Sequence, residues 1–339
     1  MHWKYTRDCF SDNQKKETID FTEVNCYNVH REMSGGYFHG GKQQEKNAEK
    51  INSGEDEQEE IQMGMHVEKV TALYWSATGN TKKVAEMIGD RLAEMLHVSC
   101  CPVDFTSPAS RQKEYVFGEG DLVVVGSPTY AGKIPNKIMP DFKARLIGNG
   151  AIAVPMITYG NRSYDNSLAE LCDILEKNGF HTIAGGAFIA RHSMSDIMGA
   201  GRPDAADIAE IQAFSDRIGH MIGEAEEIPA AVKVSGDAGA PYYVPLKEDG
   251  QRANFLKAKP VTDESKCDHC GACVKACPMA SIDAEDVTKV PGLCIKCHAC
   301  VRICPSGAKY FDDAELISHV SLLEGLCKEP KKNEVFFSL

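Results

Sequence analysis

Long apolar runs are missing from this sequence, and none approaches the roughly 18 to 20 residues that a membrane helix requires. The opening stretch MHWKYTRDCFSDNQKKE also lacks the apolar core of a signal peptide, so the reading is a cytoplasmic chain with no membrane insertion. Positive charge is short as well. Lys and Arg total 37 against 49 Asp and Glu, giving a formal net charge of −12. That balance argues against a sequence-independent grip on phosphate backbones, and nucleic acid is not an expected partner. Neither the dinucleotide fingerprint G-x-G-x-x-G nor the triphosphate loop G-x-x-x-x-G-K-[ST] occurs, so direct oxidation of a nicotinamide cofactor is not implied. Cysteine, by contrast, is abundant. Fourteen of them in a chain without an export signal point to metal ligands or redox groups rather than structural disulfides.

The 339 residues allow about two domains, and a hydrophobic fraction of 43% is enough for a core. Residues 1–62 carry 13 acidic and 8 basic side chains and show neither helix nor strand period, so they are expected to form a disordered polar extension. From Lys69 onward, β-branched runs at 69–75, 98–103, 121–126, 151–157 and 181–189 alternate with helical stretches near 80–96, 135–146, 164–178 and 203–224. In the last of these, Ile208, Ile211, Phe214, Ile218 and Ile222 fall on one face. The expected fold is α/β, a doubly wound parallel sheet of five strands over residues 66–225. Prolines and glycines mark 226–262 as an extended linker that Tyr242, Tyr243 and Phe255 would pin down. A cysteine-rich α+β segment follows at 263–311, then a tail helix within 312–339.

Cys267, Cys270, Cys273, Cys277 and Pro278 read C-x2-C-x2-C-x3-C-P, and Cys294, Cys297, Cys300, Cys304 and Pro305 repeat the pattern. In such runs three thiolates wrap one cubane cluster while the fourth reaches the other. One [4Fe-4S] cluster is therefore expected on Cys267, Cys270, Cys273 and Cys304, and a second on Cys294, Cys297, Cys300 and Cys277. A zinc ribbon would use two cysteine pairs separated by a long gap, and three cysteines in seven residues do not suit one tetrahedral ion. Cys294 to His298 also matches the haem c attachment pattern, but that reading leaves the rest of the run unexplained. The segment resembles the bacterial two-cluster ferredoxins, a resemblance that implies one-electron transfer at low potential.

Between the first strand and first helix, Ser76-Ala77-Thr78-Gly79-Asn80-Thr81 offers hydroxyls and free amides to an anion; a simple helix cap is the competing reading. Two more loops, 126–135 with Pro128-Thr129-Tyr130-Ala131-Gly132 and 158–166 with Thr158-Tyr159-Gly160-Asn161 and Tyr164, follow the third and fourth strands. In a sheet of order 2-1-3-4-5 all three loops meet at the switch point where ligands bind. Tyr130, Tyr159 and Tyr164 are candidates to flank a flat ring. Together these loops resemble flavodoxin, which binds FMN. The resemblance implies that Ser76, Thr78, Asn80 and Thr81, with Gly79 in the turn, hold the FMN phosphate, while Pro128 to Gly132 and Thr158 to Asn161 line the ring. Over residues 66–311 the arrangement resembles the EFR-type flavodoxin and ferredoxin fusions.

The expected function is that of an electron-transfer iron-sulfur flavoprotein exchanging single electrons between two [4Fe-4S] clusters and FMN, served by redox donor and acceptor proteins. The alternative is an FMN-dependent reductase of a small substrate, with His192 after the fifth strand or Tyr164 as a proton donor. A hydrogen-bonded loop histidine competes with that role.

Overall fold

The first β-branched run forms β1 (Lys69–Tyr74), and the expected alternation follows it. It continues with α1 (Asn80–Leu96), β2 (Ser99–Asp104), a 3-10 turn at Ser110–Gln112, β3 (Tyr115–Val116), β4 (Asp121–Pro128), α2 (Met139–Arg145), β5 (Leu146–Ile147) and β6 (Ile152–Tyr159). Next come α3 (Ser167–Lys177), β7 (His181–Thr182), β8 (Ala184–Ile189) and α4 (Ala205–Glu224). The remainder holds β9 (Val261–Thr262), α5 (Ala272–Ala276), α6 (Ala299–Ile303), β10 (Lys309–Tyr310), α7 (Ala314–Leu326) and β11 (Glu334–Phe337). The computed structural model describes residues 65–338, so the expected disordered extension at 1–62 lies outside the described residues. No described helix is long and apolar enough to cross a membrane.

The strands β2-β1-β4-β6-β8 pair in that order and all run parallel, which is the expected 2-1-3-4-5 sheet. This is the flavodoxin-like arrangement. Helices cover both faces, so both side-chain sets of each central strand are apolar. Val70 of β1, Leu122 and Val124 of β4, and Val154 and Met156 of β6 pack against Val84 and Ile88 of α1 and Ile211, Phe214 and Ile218 of α4. Their neighbours Leu73, Val123, Val125, Ala153 and Ile157 face the other way, onto Phe142 of α2 and Leu168 and Leu171 of α3. The alternation has a period of two, as extended backbone requires. Ile208, assigned to the buried face of α4, is only half-buried.

The expected strand 181–189 divides into the short β7, which pairs with β6, and β8. The β3–β5 pair and β11 were not expected; β11 lies antiparallel on β8 with Glu334 opposite Ala187 and Phe337 opposite Ala184. The tail helix thus occupies only Ala314–Leu326 of the 312–339 segment, and the chain end returns to cap the open edge of the sheet. An uncovered β8 would present unpaired amides and carbonyls, and β11 removes that liability. Phe337 packs on Phe214 at 5.5 Å and lies under the Arg217 guanidinium at 3.7 Å.

The cysteine-rich segment is closed by the β9–β10 pair and carries two five-residue helices, α5 and α6. Its own core is only Cys273, Ile282, Val287 and Cys300, which is too small to hold some fifty residues without cross-links or metal. It belongs to the same compact unit as the sheet. Several contacts join them. Buried Arg111 donates to the Pro278 carbonyl at 2.9 Å. Arg302 of α6 donates to the carbonyls of Ser193 and Ser195, both at 2.8 Å. Met279 and Ile295 pack against the apolar cluster beneath the sheet.

Candidate functional site

The carboxyl ends of β1, β4 and β6 open onto a cavity of about 240 Å³. Thr78, Asn80 and Thr81 of the first loop, Pro128 to Gly132 of the second, and Thr158, Tyr159 and Gly160 of the third all line it. The three loops therefore converge as expected. The amides of Thr78, Gly79, Asn80 and Thr81 meet no acceptor among the described residues. They stand at the positive end of a 17-residue helix, which favours an anion there. The hydroxyls of Thr81 and Thr158 bond each other at 2.7 Å, and Asn80 donates to the Arg191 carbonyl at 3.1 Å, which ties the first loop to the third and to the turn after β8.

Four expected contacts stand outside the wall. Gly79 forms the left-handed N-cap of α1, and Ser76 accepts from the Lys82 amide at 3.1 Å. Asn161, buried with φ +64, donates to the carbonyls of Cys327 and Glu329 and accepts from the Lys331 amide. Tyr164 donates to Glu334 at 2.6 Å. The last two are committed to the returning chain end. Tyr159 is shared, lining the cavity while its hydroxyl donates to the Lys332 carbonyl at 2.5 Å.

Sequence reasoning missed much of the opposite wall. Arg162, Ser163 and the 190–194 turn lie beside the expected loops, but Tyr243, Pro245 and Phe255 come from the linker, and His319 and Leu323 from α7. Tyr243 stacks beneath the Arg162 guanidinium at 4.2 Å, and Phe255 stacks on His319 at 5.5 Å. Lys133 clamps the linker through the carbonyls of Ala238 and Ala240, both at 2.8 Å, while Glu170 balances its charge at 3.1 Å. Tyr242 donates to the Ile134 carbonyl, so the linker aromatics do pin the connection. The wall also includes Ile295 and Lys296, which lie between Cys294 and Cys297.

Gly132 holds φ +78, and a Cβ there would collide with the Asp165 carboxylate. Gly132→Ala should cost about 2 kcal/mol, since the left-handed region alone costs roughly 1–2 kcal/mol for a residue with a Cβ. A lowered urea midpoint at unchanged slope would register it.

His192 also lines the cavity, packed so tightly on Gly160 that a Cβ at that glycine would stand 2.5 Å from the ring. Burial pushes its pKa down to about 4, with His319, Arg302 and Arg162 adding to the effect. Its Nδ1 accepts from the Met194 amide at 3.2 Å, leaving Nε2–H as the donor of a neutral ring. At neutral pH the ring is therefore uncharged. His319 is held neutral in the same way, by burial and by Arg162, although its Nδ1 donates to the Leu246 carbonyl. Burial raises the Tyr130 hydroxyl well above its ordinary range, and the nearby Cys297 and Cys294 sulfurs add to that. Tyr130 lines the cavity and lies near the second cysteine run.

The eight cysteines sort into two further cavities. One is lined by Cys267, Cys270, Cys273 and Cys304; the other by Cys277, Cys294, Cys297 and Cys300. The fourth cysteine of each run thus lies with the first three of the other. Among the described residues no three His, Cys, Asp or Glu side chains converge on a point that a single ion could occupy. Each set of four cysteines lines a small cavity instead. The crossing cysteines accept equivalent amide bonds, Ser281 to Cys277 and Ala308 to Cys304, both at 3.3 Å. Burial raises the Cys297 and Cys300 thiols to about 12, so a metal centre would have to displace those protons. Residues 259–305 match the 4Fe-4S dicluster domain.

The dicluster segment accounts for all eight of these cysteines and leaves the sheet domain to other comparisons. A flavodoxin from the domain Archaea is 19% identical, with 45% of this chain and 98% of that one covered and a TM-score of 0.33. A single-residue variant of flavodoxin from Pseudomonas aeruginosa is 12% identical over 45% of this chain and 98% of that one, with a TM-score of 0.31. Rubredoxin oxygen:oxidoreductase from the anaerobe Desulfovibrio gigas is 17% identical over 47% of this chain, with a TM-score of 0.34; only 37% of that protein is covered. At these scores the fold rests on the chain's own strand order. Among curated proteins none matches.

Proposed function

We propose that the chain is an electron-transfer iron-sulfur flavoprotein, carrying single electrons between an FMN in the loop cavity and two [4Fe-4S] clusters in the dicluster segment. FMN accepts or gives one or two electrons and each cluster handles one, so a chain that holds both converts between the two kinds of transfer. The carrying observation is that Ile295 and Lys296, flanked by Cys294 and Cys297, form part of the cavity wall.

The amides of Thr78 to Thr81 would bind the phosphate, and the loops at Pro128 to Gly132 and Thr158 to Gly160 would border the ring. Cys267, Cys270, Cys273 and Cys304 would hold the first cluster; Cys294, Cys297, Cys300 and Cys277 the second. Arg302 in the second run, and Arg111 at Pro278 beside Cys277, fasten the cysteine set of the second cluster to the sheet domain, which makes the transfer intramolecular rather than dependent on encounter. Cys270 is exposed, which supports exchange with donor or acceptor proteins at the first run. The neutral state of His192 weighs against the reductase reading, since a ring with a pKa of about 4 is rarely charged at pH 7.

Anaerobic purification with iron, sulfide and released flavin measured per chain tests the reading. The expected content is about eight iron, about eight sulfide and one FMN. Iron without flavin would leave the cavity without its proposed ligand, and zinc in place of iron would overturn the assignment of the cysteines.

A further inference from the structure

The two cysteine runs are built on one plan, and they differ at one telling position. Cys270-Gly271-Ala272-Cys273 and Cys297-His298-Ala299-Cys300 each place the second residue at the N-cap of a short helix in the left-handed region, with φ +71 at Gly271 and +60 at His298. Glycine takes this conformation freely, whereas a residue with a Cβ pays roughly 1–2 kcal/mol for it. A Cβ at Gly271 would meet nothing within 4 Å, so the first cavity has room for a side chain and carries none. The second carries an imidazole. His298 lines the cavity of Cys277, Cys294, Cys297 and Cys300, and its ring is fixed by stacking on Phe311 at 4.5 Å and 16°. Its Nε2 is buried without a hydrogen-bond partner among the described residues.

A buried imidazole nitrogen left unpaired is costly, and such groups in native proteins call for an explanation. Stacking on Phe311 fixes the ring but leaves Nε2 without an acceptor. Because His298 lines the cavity of the four thiols, a group held there can supply the partner. Resting on the cofactor reading above, we infer that His298 Nε2–H donates a hydrogen bond to the sulfur of the cluster held by the second run, and that His298 is a residue setting its potential.

Such a bond is stronger to the more negative, reduced state, so it raises the reduction potential. The first run, with Gly271, has no counterpart. The two clusters would then differ in potential although their cysteine frameworks repeat. The higher potential would lie at the run that borders the loop cavity, which draws electrons from the exposed first run toward it. No proton is transferred and no bond other than the hydrogen bond is formed.

The test uses the full-length chain purified anaerobically, with His298→Gly and His298→Gln. The glycine variant reproduces the first run and removes the left-handed penalty, so it is expected to fold and keep its iron. A redox titration followed by electron paramagnetic resonance should show one iron-sulfur potential falling by about a tenfold change in the one-electron constant, about 59 mV, with the other unmoved. His298→Gln, whose amide can donate from a similar reach, should recover part of the shift. With [15N]histidine the reduced wild-type cluster should show a nitrogen coupling that is absent from His298→Gly. Two unmoved potentials in a His298→Gly protein with full iron would overturn the inference. Less than about eight iron in the wild type would instead overturn the two-cluster reading.

Discussion

Cys277→Ala should empty the second cluster site and spare the first, although Cys277 belongs to the first run in sequence. It shares a cavity with Cys294, Cys297 and Cys300 and not with Cys267, Cys270 and Cys273. The expected iron content falls from about eight to about four per chain. Alanine offers no oxygen that might substitute as a ligand, and Cys277 ends α5 in an extended conformation that alanine adopts freely. The pairing is read by comparing four variants. Cys277→Ala and Cys294→Ala should retain one and the same paramagnetic species, and Cys304→Ala and Cys267→Ala should both retain the other. A Cys277→Ala protein whose spectrum matches that of Cys267→Ala would overturn the crossed assignment. The same variants test the route. Because Ile295 and Lys296 border the loop cavity, loss of the second cluster should abolish flavin reduction by electrons entering at the exposed Cys270 side. Loss of the first cluster should slow entry but leave the second cluster beside the flavin.

Much of this was legible because it is local. Four cysteines at spacings of three and four residues constrain which sulfurs can lie together, and each of the two cavities is lined by three cysteines of one run and the fourth of the other. The strands of the sheet announced themselves through continuous apolar runs, which a parallel sheet covered on both faces demands. The loops of the cavity were legible through their place after β1, β4 and β6, since order 2-1-3-4-5 brings those three ends together. What escaped depends on contacts between distant segments. The run Glu334–Phe337 is four residues in a polar tail, and nothing in it says that the open edge of β8 will take it as a strand. Asn161 and Tyr164 carry the right chemistry for a flavin loop, yet their polar groups serve that returning segment. Phe255, His319 and Leu323 show no pattern that distinguishes a cavity wall from ordinary packing, because linker and α7 acquire that role only by folding over the loops.

Asp207→Asn should destabilise the chain by about 3 kcal/mol and loosen the returning end, for reasons that converge on one carboxylate. Asp207 is 1% exposed. It receives a two-pronged contact from Arg202, accepts from the Asp204 amide at 2.8 Å and from Asn333 at 2.9 Å, and completes the capping box that starts α4. Asn333 in turn accepts from the Ile189 amide of β8 at 2.8 Å. Helix, sheet edge and chain end are thus fastened at one point. Removing one member of a buried ion pair costs roughly 3–5 kcal/mol, and the partial exposure of Arg202 places this case at the lower end. Burial works to raise the Asp207 carboxyl, but Arg202, the Asp204 amide and Asn333 outweigh it and hold the pKa below the ordinary value. A depressed folded-state pKa contributes stability that is present above the unfolded value of about 3.9 and is lost as pH falls through the folded value. The wild type should therefore lose more stability between pH 7 and pH 3 than Asp207→Asn does. Urea midpoints at the two pH values measure the difference, and equal losses in both proteins would sink the argument. Hydrogen exchange supplies the structural readout. In Asp207→Asn the amides of 334–337 should exchange faster while those of β4 and β6 stay protected. Loosening there reaches the site, because the same returning chain leads from α7, whose His319 and Leu323 wall the cavity.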